Sequence, residues 1–196
     1  HRPRLLLVLA ALVVAVSIAG CATLSKSQCE AGDWRAIGVS DGYHGYVVSR
    51  FDQHVKACAE HGITPNRQLY EAGYKEGLVS YCRLERAANE GSSGDVYRHV
   101  CSGEVGVSFE RVYEQARDVY EARQVAASIR DDIREANSQL GDPGLSADAR
   151  RVLIGQVNDL YDDLADQQMI IAREEARLRR VFGEETRRLA ALGIPA

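Results

Sequence analysis

The sequence of 196 residues has no excess of positive charge and none of the motifs typical of nucleotide-binding enzymes or zinc proteases. Its formal net charge is −4 at pH 7, which argues against a nucleic-acid partner. It contains no phosphate-binding loop, no dinucleotide-binding fingerprint and no HExxH motif. It also lacks the alternation of strands and helices that marks an α/β enzyme. We therefore expect a protein that is not an enzyme and that carries no cofactor or metal.

The longest hydrophobic run lies at the N-terminus and is too short to cross a membrane as a straight helix. Arg2 and Arg4 precede 14 apolar or small residues at positions 5–18. As a helix this run would measure about 21 Å, against a hydrocarbon core of about 30 Å. The pattern predicts a signal peptide over residues 1–20, with an uncleaved membrane anchor as the weaker alternative.

The residues after this run resemble the lipobox of bacterial lipoproteins, here Ile18-Ala19-Gly20-Cys21. The resemblance implies cleavage before Cys21, a diacylglycerol on its sulfur and an acyl chain such as palmitate on its amino group. Two or more chains anchor a protein firmly, whereas one does not. Ala22, which is not Asp, favours the outer membrane with the protein facing the periplasm. Residues 21–28 would then be a tether.

Four further cysteines, Cys29, Cys58, Cys82 and Cys101, fall within a short segment. An even number in an exported chain predicts two disulfides, because the periplasm is oxidising. They would stabilise a small helical domain over residues 29–103. Spacing alone allows three pairings. If residues 38–58 and 67–82 form two antiparallel helices, Cys29–Cys82 with Cys58–Cys101 is the favoured pairing.

A metal site is the alternative use of the same region. His54, Cys58 and His61 would share one helix face, and mixed His and Cys ligands are typical of structural zinc. This alternative makes the protein a metal- or small-ligand-binding envelope protein. The oxidising compartment argues against it, because it competes for the thiolate.

Glycines recur at helical spacing at Gly38, Gly42, Gly73 and Gly77, which would let two helix backbones approach closely. The G-x-S-x-G match around Ser40 follows from this spacing, since no apolar strand precedes it. Residues 89–96 are predicted to form a polar loop. A candidate recognition patch for a glycan, peptide or protein comprises Asp33, Trp34, Asp41 and Tyr43. The interpretation that we favour is structural, with Asp33 as a helix cap and Trp34 in the core.

The pattern as a whole resembles an uncharacterised family of Gram-negative lipoproteins, catalogued as domain of unknown function 2799. The resemblance covers about residues 21–120 and implies a location and a cysteine pattern, but no activity and no site residues. It rests on Asp33-Trp34-x₃-Gly38-x₂-Asp41-Gly42-x₂-Gly45, His54-x₃-Cys58-x₃-Gly62, Tyr70-x₂-Gly73-x₃-Gly77-Leu78-x₂-Tyr81-Cys82 and Tyr97-x₃-Cys101.

Residues 104–196 predict an antiparallel coiled-coil hairpin of two long helices, which makes the fold class all-α. Pairing outward from the break at Gly141 puts Phe109 opposite Arg177, so the second helix should overrun the first by roughly ten residues. Phe182, Leu189 and Leu192 should then pack on the cysteine-containing domain. The expected apolar positions are Phe109, Val112, Ala116, Val119, Ala122, Ala126, Ile129, Ile133, Ala136 and Leu140, then Leu153, Val157, Leu160, Leu164, Ile171, Leu178, Phe182, Leu189 and Leu192.

Three polar residues, Gln167, Glu174 and Glu185, interrupt the predicted seam. They either set the register of the two helices or mark places where a partner replaces the seam, and we favour the first interpretation. Together these features predict a structural or interaction module of the cell envelope. Its partners would be the membrane, through the lipid, and an envelope protein or a second copy, through the hairpin.

Overall fold

The computed structural model describes residues 23–195, which form two compact units, one up to Gly77 and one from Leu78. The predicted signal peptide and Cys21 lie outside the described residues. The described part is helical and contains no strand, which confirms the all-α fold class. No helix within residues 23–195 is long and apolar enough to span a membrane. The helices are α1 (Lys26–Ala31), α2 (Trp34–Tyr43), α3 (Arg50–Ala59), α4 (Arg67–Tyr81), α5 (Leu84–Ser93), α6 (Gly103–Leu140) and α7 (Ala147–Ala191).

In the first unit, the single helix expected over residues 38–58 is broken into α2 and α3. The chain turns between Tyr43 and Arg50, and Gly45 adopts a left-handed conformation there with φ +63°. Glycine reaches that conformation without the steric cost that a side chain brings. The turn changes the direction of α3, and this alters which cysteines can meet.

The structure pairs Cys29 with Cys58 and Cys82 with Cys101, so the favoured pairing Cys29–Cys82 with Cys58–Cys101 is wrong. The physical reason is the break before α3. An unbroken helix would have carried Cys58 away from Cys29, whereas the turn brings the end of α3 back to α1. Each disulfide therefore closes a loop inside its own unit.

The glycines of α2 and α4 do bring two backbones into direct contact. A Cβ atom on Gly38 would lie 2.0 Å from the carbonyl oxygen of Tyr70, and one on Gly73 would lie 2.0 Å from that of Arg35. Gly77 meets Val39 in the same way, at 2.2 Å from its carbonyl oxygen. No side chain fits at these distances, which confirms the close approach that the spacing predicts.

The second unit begins inside α4, whereas the sequence suggests a boundary after residue 103. The expected loop over residues 89–96 is helical as far as Ser93, because α5 continues to a left-handed Gly94. Gly91 lets α5 pack closely on α6, because a Cβ atom there would lie 2.4 Å from the carbonyl oxygen of Tyr113 in α6. The core of the unit is Tyr81, Leu84, Ala87, Tyr97, Phe109, Val112 and Leu189.

The hairpin of α6 and α7 follows the predicted seam closely. Every predicted apolar position except Leu192 is buried or half-buried, and Leu192 is exposed. Phe182 and Leu189 pack in the core that includes the second disulfide, as expected. The helices are antiparallel, since Ser108 bonds to Glu185 and Ala122 to Gln167.

The predicted overrun of α7 is wrong, because Ser108, next to Phe109, bonds to Glu185 and does not face the region near Arg177. Glu104 at the start of α6 already bonds to Arg188 near the end of α7. The start of α6 at Gly103 lies close to the predicted start of the hairpin at residue 104. Gly106 packs on the carbonyl oxygen of Cys101 there, at 2.6 Å from its would-be Cβ.

The three polar seam residues each bond to α6, which supports their interpretation as register-setting residues. The side-chain amide of Gln167 donates to the carbonyl oxygen of Ala122 at 2.9 Å. Glu174 accepts from the side chain of Gln115 at 3.2 Å. Glu185 is buried and accepts from Ser108 at 2.6 Å and from Arg111 at 2.9 Å.

Glu185 should make the stability of the hairpin depend on acid pH. Burial raises its pKa, but hydrogen bonds from Ser108, Arg111 and Arg188 outweigh burial, and the pKa is lowered to about 2. An unfolded glutamate has a pKa of about 4.3, so the stabilisation is present above that pH and is lost as pH falls towards 2. We expect Glu185→Gln to lower the free energy of unfolding by about 2 kcal/mol at pH 7 and by little near pH 2.

Urea unfolding at pH 7, 4 and 2.5, followed by far-UV circular dichroism, measures this difference. Glu184→Gln is the matched control, since Glu184 is exposed one position earlier in α7. A loss that stayed constant across the three pH values would contradict the assigned role of Glu185.

Candidate functional site

A buried polar cluster in the first unit centres on Asp41, near the end of α2. One carboxylate oxygen of Asp41 accepts a hydrogen bond from the Tyr70 hydroxyl at 2.8 Å and lies 2.7 Å from Nε2 of His54. The other oxygen lies 3.3 Å from Nε of Arg50. Asp41 is 6% exposed and His54 is 1% exposed. A buried carboxylate is tolerated when it is paired and hydrogen-bonded in this way.

The cluster extends to the N-terminal segment through the second nitrogen of His54. Nδ1 of His54 lies 2.8 Å from the hydroxyl oxygen of Thr23. When Nε2 carries its proton towards Asp41, the neutral ring accepts the Thr23 hydroxyl proton at Nδ1. Both ring nitrogens are therefore engaged. The arrangement therefore fixes the position of the Thr23 side chain.

Two tyrosines of α4 lie in or beside the cluster, Tyr70 bonded to Asp41 and Tyr74 bonded to the backbone of Tyr46. Burial, and then the hydrogen bond to Asp41, raise the pKa of Tyr70 far above its usual value. Burial also raises the pKa of Tyr74, whose hydroxyl donates to the carbonyl oxygen of Tyr46 at 2.7 Å. Both phenols therefore stay protonated at neutral pH and act as donors.

A cavity of about 470 Å³ opens beside this cluster, entirely within the first unit. Its wall combines apolar side chains with charged and polar ones, contributed by the N-terminal segment and by α1, α2 and α3. The lining residues are Thr23, Leu24, Gln28, Ala31, Asp33, Ala36, Ile37, Ser40, Asp41, His44, Tyr46, Arg50 and His54.

The four residues of the candidate recognition patch do not form one surface. Asp33 caps α2 by accepting a hydrogen bond from the backbone of Ala36 at 3.1 Å. Trp34 and Asp41 are buried, whereas Asp33 and Tyr43 are exposed. The structural interpretation of this set fits the geometry for Asp33 and Trp34. Ser40 lies within α2, as the glycine-spacing interpretation of its motif requires.

The alternative metal set is not assembled. The sulfur of Cys58 is bonded to Cys29, and His54 is committed to Asp41 and Thr23. His61 is exposed beyond the end of α3. Over residues 23–195, no three His, Cys, Asp or Glu side chains are grouped to hold a metal ion. The disulfide overturns the hypothesis that used Cys58.

Sequence reasoning missed three members of the cluster: Thr23, Arg50 and Tyr70 as partners of Asp41 and His54. Tyr70 stands in the quoted family pattern, which gave a signal without a role. Nothing in the local sequence marks Thr23, because its partner lies 31 positions away along the chain. Residues 23–28 were expected to be a tether, yet Leu24 is buried and α1 begins at Lys26.

The fold therefore defines an all-α protein with one disulfide in each of two units. Residues 33–118 match the family described as "Protein of unknown function (DUF2799)", which confirms the resemblance drawn from the sequence. The match runs from the cap of α2 into α6 and leaves α7 outside it. No curated protein and no solved structure matches the chain.

Proposed function

We propose that this protein is a lipoprotein of the outer membrane that faces the periplasm and acts as a non-enzymatic structural or interaction module of the cell envelope. The observation that carries the proposal is the pairing of Cys29, Cys58, Cys82 and Cys101 in two disulfides. Disulfides of this kind persist in oxidising compartments such as the periplasm. Cys21, in its lipobox-like context, supplies the anchor.

The hairpin of α6 and α7 is the element that we assign to recognition. Ile154 and Tyr161 are one heptad apart on α7, so they lie on the same helix face, and both are exposed. Met169 further along α7 is also exposed. These side chains lie outside the seam and are available to an envelope protein or to a second copy of the chain.

The anchor is tested by labelling cells with radioactive palmitate, with and without globomycin. We expect label on the wild-type protein and none on Cys21→Ser. Globomycin should slow the processing of the wild-type precursor. Ala22→Asp is the matched variant for location, because it keeps the lipid and should move the protein to the inner-membrane fraction. Absence of label from the wild-type protein would refute the proposed anchor.

Peptide mapping of the non-reduced protein tests the compartment. We expect linked peptides containing Cys29 with Cys58 and Cys82 with Cys101 in protein isolated from cells. Free thiols at these four positions would contradict export into an oxidising compartment.

Photo-crosslinking in intact cells tests the recognition element. A crosslinking amino acid at Ile154 or Tyr161 should give a discrete adduct with one envelope protein or with a second copy. Asp159 is the matched control, since two helix residues place it about 200° around α7 from Tyr161 and it is exposed. Equal adducts from Asp159, or none from any position, would count against recognition by this face.

A further inference from the structure

The chain enters the first unit at a fixed point, and this fixed point lies next to the proposed lipid. The hydroxyl of Thr23 bonds to the buried His54, and Leu24 is buried. Ser25 and Gln28 then form a reciprocal capping box at the start of α1, and Cys29 is joined to α3 by its disulfide. From Thr23 onward the chain is therefore held in one position on the first unit.

Chain geometry limits how far a lipid on Cys21 can be from this entry point. Two peptide units span at most about 7 Å between Cys21 and Thr23. The headgroup layer on each side of a bilayer is itself roughly 5–8 Å thick. A protein anchored at Cys21 must therefore hold the surface around Thr23 at the level of the lipid headgroups.

The turn between α2 and α3 borders the same cavity as Thr23. His44, Tyr46 and Arg50 line the cavity that Thr23 and Leu24 also line. The turn is held firmly, because the backbone of Tyr46 donates to the carbonyl oxygen of Asp41 at 3.0 Å and the guanidinium of Arg50 stacks on the Tyr46 ring at 3.9 Å.

This turn exposes three large side chains with apolar surface. Tyr43 is 48% exposed, Val47 is 41% exposed and Val48 is 42% exposed. Tyrosine is enriched where proteins meet the membrane–water interface, since its ring is apolar and its hydroxyl is polar. Valines beside it add apolar area that water does not favour.

We propose that the turn carrying Tyr43, Val47 and Val48 lies in the headgroup layer of the membrane that holds Cys21, so that the first unit docks on the bilayer in one orientation. The proposal rests on the proposed function for its anchor. It adds the membrane-facing surface, and it makes the bilayer, rather than a protein, the partner of this turn.

The test uses the chain from Cys21 to Ala196, which contains every described residue. In its oxidised form Cys21 carries the one thiol outside the two disulfides, so a maleimide-linked phospholipid attaches there without the lipoprotein machinery of the cell. The protein is bound to vesicles of phosphatidylethanolamine and phosphatidylglycerol whose acyl chains are brominated near the headgroup. Tyr43→Trp and Val48→Trp are compared, each with Trp34 still present.

We expect roughly a twofold loss of the added tryptophan fluorescence for Tyr43→Trp and for Val48→Trp on brominated vesicles. The unsubstituted protein gives the background of the buried Trp34. His61→Trp is the matched control, because His61 is exposed and lies beyond the far end of α3, about 15 Å along the helix from Arg50. It should lose little fluorescence.

Equal quenching of all three variants, or no quenching of the two turn variants, would overturn the proposal and leave the turn to a protein partner. Because the phospholipid is attached chemically at Cys21, the quenching result does not depend on whether cells add a lipid there. If palmitate labelling fails while the turn variants are quenched, the proposed anchor falls and docking in the cell falls with it, although the turn enters a bilayer once a lipid is attached at Cys21. If labelling succeeds without quenching, the anchor stands and the docking surface falls.

Discussion

Replacing Gly73 by alanine should unfold the first unit at markedly lower urea concentration, with a loss of about 3 kcal/mol in the free energy of unfolding. The new methyl group would lie 2.0 Å from the carbonyl oxygen of Arg35 and 3.0 Å from the backbone nitrogen of Val39. Backbone atoms of a helix cannot rotate away as a side chain can. The helices α2 and α4 would have to separate, which would also weaken the close contacts at Gly38 and Gly77.

Trp34 makes this measurement selective. It is the single tryptophan of the chain and lies buried at the start of α2, so its fluorescence reports on the first unit. Gly155→Ala is the matched control: a Cβ there meets nothing within 4 Å, and alanine should stabilise α7 by up to about 1 kcal/mol. If Gly73→Ala shifted the Trp34 transition no more than Gly155→Ala, the close helix contact would be refuted.

The features that were predicted correctly are those that follow from the local periodicity of residues in the sequence. The heptad positions of α7 and the three-and-four spacing of α6 predicted the seam, because a helix face is determined by residues a few positions apart. The glycine spacing predicted the contact of α2 with α4 for the same reason. In both cases the pattern defines one face of one helix, and that face depends on residues only a few positions apart.

The features predicted badly depend on residues far apart or on a single turn. The pairing of Cys29 with Cys58 was missed because the chain turns at Gly45 and breaks the expected helix. Several glycines lie close together in this segment, and the sequence does not indicate at which of them the chain turns. The register of α6 against α7 was missed because it is set by bonds such as that between Ser108 and Glu185, which lie 77 positions apart. The bond from Thr23 to His54 joins residues with no local relation.

The Asp41 cluster shows why such long-range groups matter for energy. Asp41 lies on α2, Arg50 and His54 on α3, and Tyr70 on α4, so one carboxylate joins three helices. Removing its charge leaves a buried histidine and a buried phenol with a poorer acceptor. The cost of breaking a buried, hydrogen-bonded charge is about 3–5 kcal/mol in other proteins.

We therefore expect Asp41→Asn to lower the free energy of unfolding by about 3 kcal/mol, measured through Trp34 in urea. Asp52→Asn is the matched control in the same unit, because Asp52 pairs with Arg67 at 2.7 Å but both side chains are exposed. An exposed pair of this kind contributes up to about 1 kcal/mol. Equal losses from the two variants would contradict the central role of Asp41.

A second readout separates this role from general destabilisation. Asp41 orients His54, and His54 holds Thr23, so Asp41→Asn should release the N-terminal segment before the unit unfolds. Under native conditions we expect faster hydrogen exchange at the backbone amides of Leu24 and Ser25 in Asp41→Asn, with the amides of α3 still protected. Asp52→Asn should leave exchange at both amides unchanged. Exchange at Leu24 that stayed as slow as in the wild type would show that burial of Leu24 alone fixes the segment.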